Sequence, residues 1–240
     1  MNQKAISLKD KINKGEICVG AVTSVDIGRD ELKKIVETGE YDYLSIDSQH
    51  APFNEEKIVE FCNMVSDLNT HVQFRIKHTR HSYLIGNMLD LGPQGIEVPQ
   101  VELVETAEES VKNFYYPKVG LRSWGGTNRY GFGPNADRLE YAKWWNQYGV
   151  LWLQIESIYA VEKVNMFALP GVDCLSFGPA DLTFNLESNP NYRLKNVDEC
   201  VQEVVDKLAG TNTKVCFRNY TKATRQKYID MGVTVFLERP

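Results

Sequence analysis

The stretch "YDYLSIDSQHAPFNEEKIVEFCNMVSDL" (residues 41–68) holds a strand, a polar turn and a helix in one unit. Apolar and small residues lead into Asp47, Ser48, Gln49, His50 and Pro52. A short apolar run bounded by turn residues reads as a buried strand. The segment after it is amphipathic, with Asn54 as N-cap and glutamates in the first turn. A buried strand that ends by presenting Asp47, Gln49 and His50 has two readings. It is a strand that reaches the surface and turns, or it is the top of a barrel strand delivering catalytic groups.

The same unit recurs in both directions along the chain. "ICVGAV" (residues 17–22) is a strand, and "RDELKKIVETG" after it has helical spacing and ends at Gly39. "HVQFRIK", "QGIEVP", "VLWLQIES", "VDCLSFGPAD", "KVCF" and "VTVFLE" read as further strands. "SYLIGNMLDLG", "VETAEESVKNF", "LEYAKWWNQYG", "AVEKVNMFALPG", "NVDECVQEVVDKLAG" and "TKATRQKYIDMG" read as helices between them. Alternation of this kind means parallel strands with right-handed crossovers. Eight strands in 240 residues argue for a single-domain (β/α)8 TIM barrel over residues 1–240. The leading "MNQKAISLKDKINKGE" reads as a short amphipathic helix, and "GFGPN" as a turn.

Composition narrows the class. The chain is 42% hydrophobic and 25% charged, with net charge −5 and no basic stripe, so nucleic acid is not an expected partner. No apolar run is long enough to span a bilayer, and the start lacks the apolar segment of a signal peptide. The five cysteines are odd in number and widely spaced, which argues against disulfides or a zinc knuckle and for a cytoplasmic protein.

Barrel enzymes build their sites at the C-terminal ends of strands. There the sequence puts Asp47, Gln49 and His50 (strand two), Arg75 (three), Pro99 and Gln100 (four), Gln154 and Glu156 (five), and Gly178, Pro179, Ala180 and Asp181 (six). Each has a plain structural alternative: a lone surface histidine, an arginine paired with a carboxylate, an N-cap aspartate. Their convergence on one mouth is what points to a site. Two carboxylates without cysteine or paired histidines suit Mg2+ or Mn2+. An arginine fork binds a carboxylate, and a histidine moves protons near neutral pH. These are the parts of a metal-dependent enolate enzyme.

In "YDYLSIDSQHAP", "RIK", "LDLGPQGIEVPQVE", "YYPKVGLRS", "QIES" and "GVDCLSFGPADLT" the chain resembles the HpcH/HpaI aldolases, class II pyruvate aldolases of the phosphoenolpyruvate/pyruvate barrel superfamily. The "QIE" and "GPADL" pair, about 25 residues apart, is the most specific. The resemblance implies Glu156 and Asp181 as ligands of Mg2+ or Mn2+, or of Co2+. It implies Arg75 as the holder of the pyruvate carboxylate, His50 as base with Asp47 as its partner, and Gln154 as a site-lining amide. Gly178, Pro179 and Ala180 would line the substrate. Arg122 would meet the aldehyde's distal group, and Asp90 would reach a neighbouring subunit's site in a hexamer or trimer.

The implied reaction makes or cleaves a 4-hydroxy-2-oxo acid, giving pyruvate and an aldehyde. Alternatives are a related enzyme acting on pyruvate or oxaloacetate with a specialised acceptor or decarboxylative bond formation, and a catalytically impaired barrel serving as a binding subunit. Gln49 stands where the family has glutamate, and Trp124 stands near Arg122 where small glycines are common, so Trp124 is expected to reshape the acceptor pocket. Pro93 replaces a small residue. The chain stops after the eighth strand without the family's terminal helix, leaving a seam for the N-terminal helix or a partner to cover.

Overall fold

The structure is a computed structural model that describes residues 7–133 and 136–240. The last two residues of "GFGPN" and the first six of the chain lie outside them. Eight parallel strands close into one barrel in sequence order. They are β1 (Cys18–Val22), β2 (Tyr43–Asp47), β3 (His71–Arg75), β4 (Gly95–Val98), β5 (Val150–Ile155), β6 (Cys174–Phe177), β7 (Lys214–Tyr220) and β8 (Val235–Glu238). The helices are α1 (Leu8–Lys14), α2 (Arg29–Glu37), α3 (Glu55–Ser66), α4 (Ile85–Leu89), α5 (Val104–Phe114), α6 (Arg138–Tyr148), α7 (Ile158–Glu162), α8 (Pro179–Glu187), α9 (Val197–Leu208) and α10 (Arg225–Asp230). The single-domain (β/α)8 architecture is the one the alternating pattern predicts.

Local chemistry explains most boundaries. Asn54 caps α3 by accepting from the Glu56 N–H at 2.7 Å, and Asp137 caps α6 in the same way. Five elements differ from the sequence reading, two of them because "AVEKVNMFALPG" and "TKATRQKYIDMG" each divide between a short α-helix (α7, α10) and a 3-10 turn (Val164–Met166, Lys222–Thr224). The third helix splits into a 3-10 turn (Thr79–Leu84) and the short α4. The "ADLTFN" segment is part of a full helix, α8, with Gly178 as N-cap and Asp181 in its first turn. Strand β7 runs three residues beyond "KVCF", because Arg218 finds a carboxylate, Glu97, inside the barrel.

Inward side chains fill the barrel by alternating bulk. A Cβ on Gly20 would lie 2.0 Å from the Tyr43 ring, and one on Gly95 would lie 1.8 Å from the Gln73 amide oxygen. The lower interior is apolar: Cys18, Tyr43, Trp152, Cys174, Cys216 and Leu237 pack there with Leu8 and Ile12 of α1. All five cysteines are free and buried, as expected of small apolar side chains. Helix α1 thus plugs the N-terminal end of the barrel. Lys9 fastens it, donating to Tyr115 Oη (2.9 Å), the Gly149 carbonyl (2.8 Å) and Asp173 Oδ2 (2.9 Å). Both ends of this ion pair are nearly excluded from water, with side-chain exposures of 11% and 6%.

Removing one partner of a buried pair strands the other charge. Lys9→Ala is therefore expected to destabilise the fold by about 3–5 kcal/mol, read from the urea unfolding midpoint. A loss below about 1 kcal/mol, the level of a surface pair, would show that α1 is not anchored this way.

Candidate active site

The C-terminal end of the barrel carries the charged side chains. Register sets Asp47 beside Arg75, because these residues are Cα partners across β2 and β3. Arg75 donates through Nε and Nη2 to the two Asp47 oxygens, at 2.8 and 2.6 Å, and through Nη1 to Gln154 Oε1 at 3.1 Å. Burial alone would raise the Asp47 pKa. The Arg75 fork and the Gln49 N–H outweigh it and hold this carboxyl below the usual range. The expected Asp47–His50 partnership is therefore corrected: Asp47 spends its carboxylate on Arg75, while His50 is exposed at the strand end.

Glu156 follows β5 and is 6% exposed. Its Oε1 is buried and has no hydrogen-bond partner among the described residues. Burial, followed by repulsion from Asp181, raises its pKa to about 7. Gly178 makes room for it, since a Cβ there would stand 2.1 Å from Glu156 Oε2 and 2.7 Å from Gln154 Nε2. Asp181 is exposed in the first turn of α8, just after Pro179 and Ala180, where unpaired backbone N–H groups favour an anion. Glu156 and Asp181 share a cavity of about 710 Å3, walled by the turn that holds His78 and Tyr83 and by Gln100 and Leu103. Gln100 has φ 50°, a left-handed conformation uncommon outside glycine.

Two charged residues that the sequence reading passed over lie on the inner wall as well. Glu97 on β4 is fully buried, accepts from Ser176 Oγ at 2.5 Å, and is ion-paired with Arg218 of β7. The available signal was an acid inside the apolar run "GIEVP" and a base directly after "KVCF". Opposite charges inside two apolar strands need each other, because neither tolerates isolation.

Arg122, Trp124 and Asp90 are not part of this group within the chain. Arg122 donates to Asp90 at 2.8 Å and lies against the Tyr116 and Trp145 rings, 4.8 and 4.6 Å from their centroids. Trp124 packs on Tyr116, Phe132 and Tyr141 and covers the Arg129 guanidinium at 4.0 Å. These contacts lie among the outer helices and the long loop before α6. Trp124, expected to reshape the acceptor pocket, has its ring in this aromatic cluster.

Charge accounting tests whether a cation belongs at the mouth. Arg75 is matched by Asp47 and Arg218 by Glu97, which leaves Glu156 and Asp181 without an ion-pair partner among the described residues. The described residues contain no group of three or more His, Cys, Asp or Glu side chains able to cage a metal. The donors on hand thus fit a hard divalent cation that keeps water and substrate oxygens as its other ligands.

The comparisons with known proteins point to one family. The model of the HpcH/HpaI aldolase/citrate lyase family matches residues 27–227. A hydroxypyruvate/pyruvate aldolase of Agrobacterium fabrum is 25% identical over 214 residues, covering 88% of this chain and 79% of the relative. A 5-keto-4-deoxy-D-glucarate aldolase of Shigella boydii is 27% identical, covering 81% and 75%. The crystal structure of an HpcH/HpaI aldolase from Desulfitobacterium hafniense DCB-2 superposes with a TM-score of 0.85 at 27% identity, covering 98% and 90%. The chain belongs to the HpcH/HpaI aldolase/citrate lyase family.

Proposed function

We propose that this chain is a divalent-metal-dependent aldolase that cleaves or forms a 4-hydroxy-2-oxo acid through the enolate of pyruvate. The observation that carries the reading is the carboxylate pair Glu156 and Asp181, left without an ion-pair partner among the described residues although Arg75 lies close enough to act on Glu156. The aldolase names of its relatives support the reaction class. Glu156 and Asp181 would hold Mg2+ or Mn2+. A cation there polarises the 2-oxo carbonyl and offsets the charge that builds on its oxygen.

The chain's own groups then have separable tasks. Arg75, locked by Asp47 and Gln154, keeps N–H groups for the carboxylate of the 2-oxo acid. Gly178 leaves the space that Glu156 and Gln154 occupy, and the first turn of α8 offers the Ala180 and Asp181 N–H groups. His50 takes the proton from the C4 hydroxyl as the C3–C4 bond breaks, the electron pair passes to C3, and a proton added at C3 completes pyruvate. In a homo-oligomer, a hexamer or trimer, Asp90 would reach a neighbour's site, and Arg122, ion-paired with Asp90 within the chain, would meet the aldehyde's distal group.

Solvent deuterium is expected to enter the methyl group of pyruvate when Mg2+ or Mn2+ is present and to stop entering with EDTA, followed by NMR. Absence of cation-dependent exchange in folded protein would sink the reading. Glu156→Gln is expected to abolish cation binding in calorimetry and to slow exchange by about a hundredfold or more. His50→Ala is expected to slow carbon–carbon cleavage by about a hundredfold while exchange persists.

The raised Glu156 pKa also has a sign. In cation-free protein the protonated group favours the fold, and this contribution is complete below about 4.5 and lost as pH rises through about 7. It amounts to about 3 kcal/mol. Urea titrations in EDTA are expected to show that decline, and Glu156→Gln or saturating Mg2+ is expected to flatten it. A flat profile for the cation-free wild type would mean that Glu156 is already compensated.

A further inference from the structure

The Glu97–Arg218 pair has no task in the reaction above, yet its placement bears on Arg75. Glu97 is the Cα register partner of Arg75 on the adjoining strand, just as Asp47 is on the other side. Arg75 therefore stands between two carboxylates, and among the described residues its side chain bonds only to Asp47 and Gln154. Glu97 turns the other way. One oxygen accepts from Ser176, itself the register partner of Gln154, and the other takes Arg218, which reaches across from β7.

Arg218 is 6% exposed, and its only side-chain hydrogen bond among the described residues goes to Glu97. Its Nε is buried without an acceptor, so one partner alone dictates where this guanidinium sits. A buried carboxylate stripped of its cation seeks another. For Glu97, register makes Arg75 the neighbouring guanidinium.

We propose that Arg218 is a positioning residue: it occupies Glu97 and so leaves Arg75 aligned on Asp47 and Gln154, with N–H groups free for the substrate carboxylate. This rests on the reading of Arg75 as the carboxylate holder. Arg218 touches no reacting atom in this scheme. Its effect on the alignment of Arg75 passes through Glu97, and that effect disappears when Glu97 is removed.

A double-substitution cycle tests it, with pyruvate affinity measured by calorimetry in saturating Mg2+ and steady-state cleavage measured in parallel. Arg218→Leu is expected to weaken pyruvate binding and raise KM about tenfold, with kcat changed less than about threefold. The combined Glu97→Leu and Arg218→Leu variant is expected to return both to within about threefold of wild type, because an apolar pair replaces a buried ion pair without leaving a stranded charge. Unchanged affinity in Arg218→Leu, or a double variant no better than the single one, would overturn the proposal. If Arg218→Leu does not fold, the double variant decides alone: near-wild-type affinity supports the proposal and weakened affinity refutes it. Arg75→Met separates the two readings. If it leaves pyruvate affinity intact, the carboxylate assignment fails and this inference with it. If it abolishes affinity while the cycle shows no coupling, only this inference fails.

Discussion

Closing eight parallel strands into a barrel gives the interior a fixed width, and every inward side chain must share it. Gly20 yields to Tyr43, Gly95 to Gln73, and Gly178 to Glu156 and Gln154. This steric pairing of nothing with something large sets what the barrel can hold at each height. Low down it holds aromatic rings and thiols. Higher up, the same rule admits long polar side chains, which then have to satisfy one another because water cannot reach them.

The upper interior is accordingly built from matched charges, with one deliberate mismatch. Asp47 answers Arg75 and Glu97 answers Arg218. Glu156 and the exposed Asp181 have no ion-pair partner among the described residues, and burial makes the first of them reluctant to ionise. A buried carboxyl without such a partner is the kind of group that a ligand from outside would complete. The chain belongs to a family of aldolases and citrate lyases.

The barrel was legible because each β/α unit repeats a short apolar run and an amphipathic helix. Arg75, Glu156 and Asp181 were legible because they follow such runs, where strand ends must lie. The partner of Asp47 was not legible. It depends on the β2–β3 register, which places Arg75 opposite Asp47, while His50 is merely near in sequence. Glu97 and Arg218 escaped notice because each lies within or just beyond an apolar run, and only closure of the barrel brings strands four and seven within reach of each other. Arg122 and Trp124 sit in a long irregular segment, whose packing on Tyr116, Trp145 and Tyr141 no periodicity announces.

The plug at the other end of the barrel bears on the order of assembly. Lys9 and Asp173 are 164 residues apart, so the contact that fastens α1 closes most of the chain into one loop. Until the segment before β6 exists, the first helix has neither its ionic anchor nor a finished barrel floor to cover. During synthesis this segment therefore waits, amphipathic and without its anchor, until the segment before β6 has been made. Sealing the base is a late event that reports on the whole barrel, and α1 finds its place only after the strands it covers.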